Sequence, residues 1–182
     1  MRPPMLLVAT ERYQELAEDI AGAGDFDLGN VERKVFPDGE RYRRVETNCA
    51  RRDVVLVGGT IDDGDTLEIY DLACGLVHLG VHTLTMVLPW FGYQTMERAS
   101  KRGEIVAAKN RARLLSSVPT AGSGNRAIFI DLHSEGIPHY FEGNIRPVHL
   151  HARSVVLQAI RDFGGEDFVL GATDAGRAKW VE

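Results

Sequence analysis

Short apolar runs alternate with longer amphipathic stretches along most of this chain. The apolar runs are MLLVA, DVVLVGG, TLTMVLP, AIFID and DFVLGATDAG, and the amphipathic stretches are YQELAEDIAGA, DTLEIYDLACGLVHLG, VAAKNRARLLSSV and ARSVVLQAIRDFG. Continuous apolar runs of this length are typical of strands buried on both faces of a parallel sheet. The alternation therefore predicts repeated βα units and an α/β fold with a mainly parallel sheet flanked by helices.

One segment departs from this alternation: VERKVF and RYRRVE alternate charged and apolar residues on either side of PDGE, which predicts a β-hairpin. Its tip offers Phe36, a turn made by Pro37, Asp38 and Gly39, and then Glu40. An aromatic ring can stack on a purine, and carboxylates can accept hydrogen bonds from its amino group or from ribose hydroxyls. Taken alone, however, PDGE is typical of an ordinary turn with a solvated acid.

Composition bounds the size and the domain organisation. With 182 residues, 44% of them hydrophobic, the chain can build one sizeable core, or one domain and the beginning of another. A new βα series starts after HLHARS, so we expect an amino-terminal domain over residues 1–150. Residues 151–182 are then expected to begin a second, similar domain that is cut short.

Charge and cysteine usage narrow the class of partner. A net charge of -5 argues against general binding to nucleic acid or to a membrane surface, because both favour a basic protein. A phosphorylated small molecule needs only a local basic patch. Cys49 and Cys74 form no CxxC pair, which indicates a reduced compartment. The first apolar run is too short for a signal peptide, so we expect a cytoplasmic protein.

Polar residues follow the predicted strands where ligands collect in open α/β sheets. Asp131 and His133 end the run AIFI and could bind a divalent metal or orient a phosphate, although a turn or a helix cap would also use this pair. Asp174 follows FVLGAT and could hold magnesium or cap a helix. His149 and His151 resemble a zinc pair, but no third ligand has a clear spacing.

The stretch PWFGYQTMERASKRGE follows the strand TLTMVL directly and carries three cations, Arg98, Lys101 and Arg102. Guanidinium and ammonium groups at the carboxyl end of a strand suit a polyphosphate. The beginning of a solvated helix would have a similar composition.

Four of these segments, taken together and in order, resemble ribose-phosphate pyrophosphokinase. FPDGE is similar to the nucleotide-binding hairpin of that family, PWFGYQTMER to its P-Y-F-G-Y-A-R-Q-D-R stretch, DLHSEGIPHYF to its D-L-H-A-x-Q-I-Q-G-F-F signature, and ATDAGRAK to its S-P-D-x-G-x-x-K. The resemblance implies a phosphoribosyltransferase-like fold with a hairpin flag. It covers essentially the whole chain, but family members continue through a second domain.

The resemblance also implies an activity and a set of site residues. Family members transfer diphosphate from ATP to ribose 5-phosphate, giving phosphoribosyl pyrophosphate and AMP, with Mg²⁺ bound and with ATP sites shared between subunits of a homo-oligomer. The positions that match the family's nucleotide contacts are Phe36, Asp38, Gly39, Glu40 and Arg98. His133 and Asp174 match its magnesium contacts, and Asp131 would shape the loop between strand and ligand.

Departures from the family pattern leave a second function open. Thr95 and Met96 stand where the family has arginine and glutamine, and Gly136 and His139 replace a glutamine and a glycine of its signature. The family's catalytic Lys and Arg and its D-T-G-G-T loop are expected beyond Glu182. The alternative to an enzyme is a non-catalytic regulatory or scaffolding homologue that binds nucleotide or family subunits.

Overall fold

The structure is a computed structural model that describes residues 4–165, 169 and 171–172. The chain divides into two compact units, Met1–Leu150 and His151–Glu182. In the second unit, the described residues form α4 (Arg153–Gly164). Across the part of the chain that the structure describes, every helix is too short or too polar to cross a membrane.

The first unit is built from strands and helices in the predicted alternation. Its strands are β1 (Met5–Ala9), β2 (Phe26–Leu28), β3 (Val31–Val35), β4 (Arg41–Val45), β5 (Asp53–Val57), β6 (Thr83–Leu88), β7 (Asn125–Ile130) and β8 (Ile145–Leu150). Its α-helices are α1 (Gln14–Ala23), α2 (Asp63–His78) and α3 (Ala107–Ser116). Short 3-10 helices cover Glu11–Tyr13, Gln94–Met96 and Ile137–Tyr140.

Within the described residues, six of these strands form one sheet in the order β2-β1-β5-β6-β7-β8. Every neighbouring pair in this sheet is parallel. The predicted α/β fold is thereby confirmed. Because all six strands point the same way, the loops that follow β1, β5, β6 and β7 leave from one edge of the sheet.

Packing follows the alternation of side chains along each strand. Leu6 and Val8 of β1 lie in a large core cluster with α2 and α3, whereas Leu7 packs on the opposite face with Ala17 of α1. The run AIFI was expected to be buried on both faces, but in β7 only alternate residues are fully buried and Ile128 is half-buried. Among the described residues of the first unit, the smaller cluster on the other face joins α1 to β1 and β5, with Phe26 of β2 and Val87 of β6 packed against it.

The predicted hairpin is confirmed. β3 and β4 pair antiparallel, from Val31 opposite Val45 to Val35 opposite Arg41. The loop between them is closed by the N–H of Gly39, which donates to the Phe36 carbonyl oxygen at 2.9 Å. Gly39 has φ +92°, a left-handed conformation that glycine adopts without a steric penalty.

Candidate functional site

Backbone and side-chain hydrogen bonds join neighbouring loops at the carboxyl edge of the sheet. The N–H of Thr60, after β5, donates to the Trp90 carbonyl oxygen after β6 at 3.1 Å, and the Thr60 hydroxyl accepts from the N–H of Gly92 at 2.7 Å. The backbones of these two loops are so close that a Cβ at Gly92 would lie 1.8 Å from the Thr60 carbonyl oxygen. Glycine at this position therefore allows the loops to meet.

The loop after β6 changes direction at Tyr93, whose φ of +58° is left-handed. A bulky residue in this region is strained and needs support from its surroundings. The Tyr93 hydroxyl donates to Asp63 Oδ1 at 3.1 Å, and the Arg111 guanidinium lies over the Tyr93 ring at 4.6 Å while also pairing with Asp63. After this turn Gln94 points inward and is 9% exposed, whereas Thr95 and Met96 are exposed.

The loop after β7 meets the Gln94 turn. Asp131 is left-handed with φ +46°, and its N–H donates to the Leu150 carbonyl oxygen at 3.0 Å. The N–H of Leu132 donates to Nε2 of His149 at 2.9 Å, and the N–H of His133 donates to Oε1 of Gln94 at 2.8 Å. Asp131 is exposed and His133 is half-buried, so both side chains are near solvent at this edge.

His149 has a role in this loop that sequence reasoning missed. Its side chain is only 7% exposed, and its Nδ1 lies 3.1 Å from Oε2 of Glu135. Since Nε2 accepts the Leu132 N–H, the ring is the tautomer that carries its proton on Nδ1, facing the Glu135 carboxylate. The pattern HLH suggested a metal pair, and it contained no signal for this bond to a residue seventeen positions away.

The hairpin tip presents its predicted residues to solvent. Phe36 is 45% exposed and packs edge-on against Tyr42, with ring centroids 6.2 Å apart. Asp38 Oδ1 accepts the Glu40 N–H at 3.1 Å, which orders the turn. Lower on this face, Lys34 donates to Glu32, and this bond lowers the pKa of the Glu32 carboxyl below its ordinary value.

The hairpin is attached to the body through a buried carboxylate that sequence reasoning also missed. Glu68 of α2 is 4% exposed, and its Oε1 lies 2.9 Å from Arg33 Nε and 3.7 Å from Arg43 Nε. The same oxygen accepts the N–H of Glu11 at 3.1 Å, so β3, β4, α2 and the loop after β1 meet at one atom. A cavity of about 320 Å³ adjoins this contact and is lined by Glu11, Arg12, Arg41, Asp62, Gly64, Asp65 and Glu68.

The predicted site residues therefore fall into separate groups within the described chain. His133 and the turn that leads to Arg98 lie at the carboxyl edge, while Phe36, Asp38, Gly39 and Glu40 lie at the hairpin tip. The Arg98 side chain is 80% exposed and lies 3.5 Å from Glu97. Asp174 lies outside the described residues.

This arrangement defines an α/β protein with a parallel sheet, a polar carboxyl edge and a projecting hairpin. Residues 5–118 match the family model described as the N-terminal domain of ribose phosphate pyrophosphokinase. The chain belongs to the ribose-phosphate pyrophosphokinase family, as its motifs predict.

Named relatives give the extent of the similarity. The chain is 31% identical over 169 residues to a ribose-phosphate pyrophosphokinase of Fusobacterium nucleatum, covering 91% of this chain and 52% of that protein. It is 27% identical over 179 residues to one of Saccharolobus solfataricus, covering 95% of this chain and 60% of that protein. The chain thus spans between half and three fifths of the length of these relatives.

A solved structure shares the fold. The crystal structure of phosphoribosylpyrophosphate synthetase from Mycobacterium smegmatis superposes with a TM-score of 0.84 at 22% identity. The similarity covers 98% of this chain and 59% of that one. The predicted phosphoribosyltransferase-like architecture is therefore shared with a solved member of this family.

Proposed function

We propose that this protein transfers diphosphate from ATP to ribose 5-phosphate. The observation that carries this proposal is the meeting of the loops after β6 and β7, where the His133 backbone N and Gln94 Oε1 are 2.8 Å apart. The chain is also 31% identical to a relative named ribose-phosphate pyrophosphokinase. In the proposed reaction the 1-hydroxyl oxygen of ribose 5-phosphate bonds to the β-phosphorus of ATP, the bond from that phosphorus to the α-phosphate oxygen breaks, and AMP leaves. The hydroxyl proton passes to solvent or to a base.

The described residues support distinct parts of this function. Phe36 offers an exposed ring face for the adenine base, and the Asp38 and Glu40 carboxylates suit the amino group or the ribose hydroxyls. The exposed guanidinium of Arg98 suits a phosphate oxygen. Binding and orientation of this kind supply much of the catalysis in phosphoryl transfer.

The residues at the carboxyl edge fit a divalent metal. Mg²⁺ keeps several waters and usually takes one or two carboxylates together with substrate phosphates. We propose His133 as a ligand because it matches the family's magnesium contact, and the exposed Asp131 offers a carboxylate beside it. Asp174, the other matching residue, lies outside the described residues. When bound, the ion neutralises charge that develops on the transferred phosphates. The proposed role of the described residues is to hold the His133 loop at the edge of the sheet, beside the loop after β6 that leads to Arg98.

Assembly and setting are also part of the proposal. We propose a homo-oligomer in which the hairpin of one subunit completes the ATP site of another, because the Phe36 and Val35 side chains at its tip are largely exposed.

A cytoplasmic setting is supported by two free cysteines, Cys49 and Cys74, and burial raises the pKa of both thiols. The net charge of -5 supports small phosphorylated substrates over nucleic acid or a membrane.

The second candidate is a homologue that binds nucleotide or family subunits without catalysis. It is favoured by one observation: exposed Thr95 and Met96 occupy the positions where the family motif has arginine and glutamine. A site without that cation would hold a triphosphate less tightly.

The two candidates differ in whether ribose 5-phosphate is consumed. The full-length protein is incubated with ATP, Mg²⁺ and ribose 5-phosphate, and AMP is measured by chromatography while ³¹P NMR follows the diphosphate on the product. We expect AMP to form only when ribose 5-phosphate is present. ATP that binds in calorimetry yet yields no AMP would leave the non-catalytic candidate, and ADP as the product would reject diphosphate transfer.

A further inference from the structure

Three consecutive backbone N–H groups after β7 are each held by a different acceptor. The N–H of Asp131 donates to a backbone carbonyl, whereas those of Leu132 and His133 donate to the side chains of His149 and Gln94. These two side chains are almost completely buried. A short loop with all its successive N–H groups bonded in this way has little freedom to change conformation.

Backbone strain is concentrated at the same place. Among the described residues, the non-glycine positions with left-handed φ are Arg51, Tyr93 and Asp131, and two of these flank the bond between Gln94 and His133. The left-handed conformation of Tyr93 directs Gln94 inward. Asp63 and Arg111 contact the Tyr93 side chain and so support this conformation. Strain persists only where surrounding contacts enforce it, and it recurs at functional sites.

We propose that Gln94 and His149 are positioning residues that hold the His133 loop in the conformation in which the His133 imidazole binds a divalent cation. The inference rests on the proposed function, since that function requires the metal at this edge. Gln94 reaches the loop from the turn after β6 and His149 from β8, so the loop is fixed from both neighbouring strands of the sheet. Removing hydrogen-bond partners that orient metal ligands typically changes metal affinity by about 10-fold to 100-fold, and here the two side chains act through the backbone N–H groups of Leu132 and His133.

Mn²⁺ is the probe, because the free ion is measured directly by electron paramagnetic resonance and no turnover is needed. The full-length wild-type protein is compared with Gln94→Met, which keeps the side-chain length but removes the acceptor, and with Gln94→Glu, which keeps an acceptor oxygen. We expect the dissociation constant for Mn²⁺ to rise about 10-fold in Gln94→Met and to recover in Gln94→Glu. Amide hydrogen exchange at His133 should accelerate in Gln94→Met alone.

A matched control lies at the other end of β7. Asn125 is also a buried amide whose oxygen accepts a backbone N–H, that of Ala121 at 3.0 Å, but it is far along the strand from the carboxyl edge. Asn125→Leu should lower the unfolding midpoint and leave the Mn²⁺ affinity unchanged. His149→Phe provides a second variant if Gln94→Met does not fold, and it should weaken Mn²⁺ binding and accelerate exchange at Leu132.

The outcomes separate this inference from the proposed function. If His133→Ala abolishes Mn²⁺ binding while Gln94→Met and His149→Phe leave it unchanged, the positioning role is overturned and the proposed metal site stands. The positioning role is also overturned if Asn125→Leu weakens Mn²⁺ binding as much as Gln94→Met. If wild-type protein has no Mn²⁺ site that depends on His133, the inference falls together with the proposed metal site, and AMP formation then decides the activity separately.

Discussion

At the scale of single residues, the loop after β6 carries the clearest chemical departure from the family motif. Thr95 and Met96 offer neither the positive charge nor the amide of arginine and glutamine, and both are exposed in the turn that precedes Arg98. Exposure makes these positions tolerant of replacement, because little packing depends on them. They can therefore be changed to test ligand contacts without disturbing the fold.

The first prediction concerns ATP affinity. Thr95→Arg combined with Met96→Gln should tighten ATP about 10-fold, because a hydrogen bond to a charged phosphate contributes about 1.5–3 kcal/mol. Calorimetric titration with ATP measures the change. Thr120→Arg adds the same charge at an exposed site near the opposite edge of the sheet and should have little effect. Equal tightening in both proteins would mean that the gain is nonspecific.

The second prediction concerns the metal requirement. His133→Ala should raise the Mg²⁺ concentration needed for half-maximal AMP formation, because one ligand to the ion is lost. His78→Ala, at the exposed end of α2, removes a histidine from the opposite edge and should leave that concentration unchanged. An unaltered Mg²⁺ dependence in His133→Ala would reject His133 as a ligand.

At the scale of elements, the carboxyl edge depends on how closely two loops can approach. Gly92 lies against the backbone of Thr60, whereas a Cβ added at Gly75, in the last turn of α2, would meet no atom within 4 Å apart from its chain neighbours and the adjacent backbone of its own helix. Replacing glycine with alanine is therefore expected to have opposite effects on the free energy of unfolding at these two positions.

The third prediction follows from this contrast. Gly92→Ala should lower the free energy of unfolding by about 1–3 kcal/mol or more, because the added methyl group overlaps the Thr60 carbonyl oxygen. Gly75→Ala should raise it by about 0.5–1 kcal/mol, because alanine favours the helix. Urea unfolding of both variants measures the difference. Equal effects would contradict the close contact between the loops.

The attachment of the hairpin gives the fourth prediction. Glu68→Leu should lower the free energy of unfolding by about 3–5 kcal/mol, because it leaves the guanidinium groups of Arg33 and Arg43 beside an apolar side chain. Asp71 also pairs with Arg43, at 3.0 Å, but its side chain is 54% exposed. Asp71→Asn should therefore cost less than about 1 kcal/mol. Comparable losses in urea unfolding would mean that Glu68 does not anchor the hairpin.

At the scale of the whole molecule, the hairpin tip and the carboxyl edge that carries His133 are separate groups of residues, which the proposed assembly combines across subunits. A defect in one group can then be compensated by an intact copy of that group on another chain. Complementation between inactive proteins tests this arrangement directly.

The fifth prediction is that Phe36→Ala/Glu40→Ala protein and His133→Ala protein, both full length and each inactive alone, regain activity when mixed. About a quarter of the sites should be intact in a random equal mixture, because each site needs one intact group from each of two chains. Mixing His133→Ala with a chain that carries all three substitutions should restore nothing. No recovery despite demonstrated subunit exchange would assign the hairpin to its own chain's site.

The sequence by itself determined the order of elements and the family. Burial on a strand or a helix repeats with the local period of the backbone, so MLLVA, DVVLV, TLTMVL and the hairpin halves were all identifiable from neighbouring residues. The motif spacings identified the family for the same reason, since each motif is a contiguous stretch. β2 was not predicted, because a three-residue strand at the edge of a sheet has too few residues to establish a period.

Tertiary structure alone decided which side chains support the site. Gln94 and His133 are 39 positions apart, and Arg33 and Glu68 are 35 apart, so neither pair leaves a local pattern. The sequence held one signal for this contact, since Gln94 stands where the family motif has alanine. That Gln94 bonds to the His133 N–H became evident only from the structure, in which β6 and β7 are neighbouring strands. The physical reason is that periodicity records how each residue meets the core, whereas a hydrogen bond between loops depends on the order in which strands join the sheet.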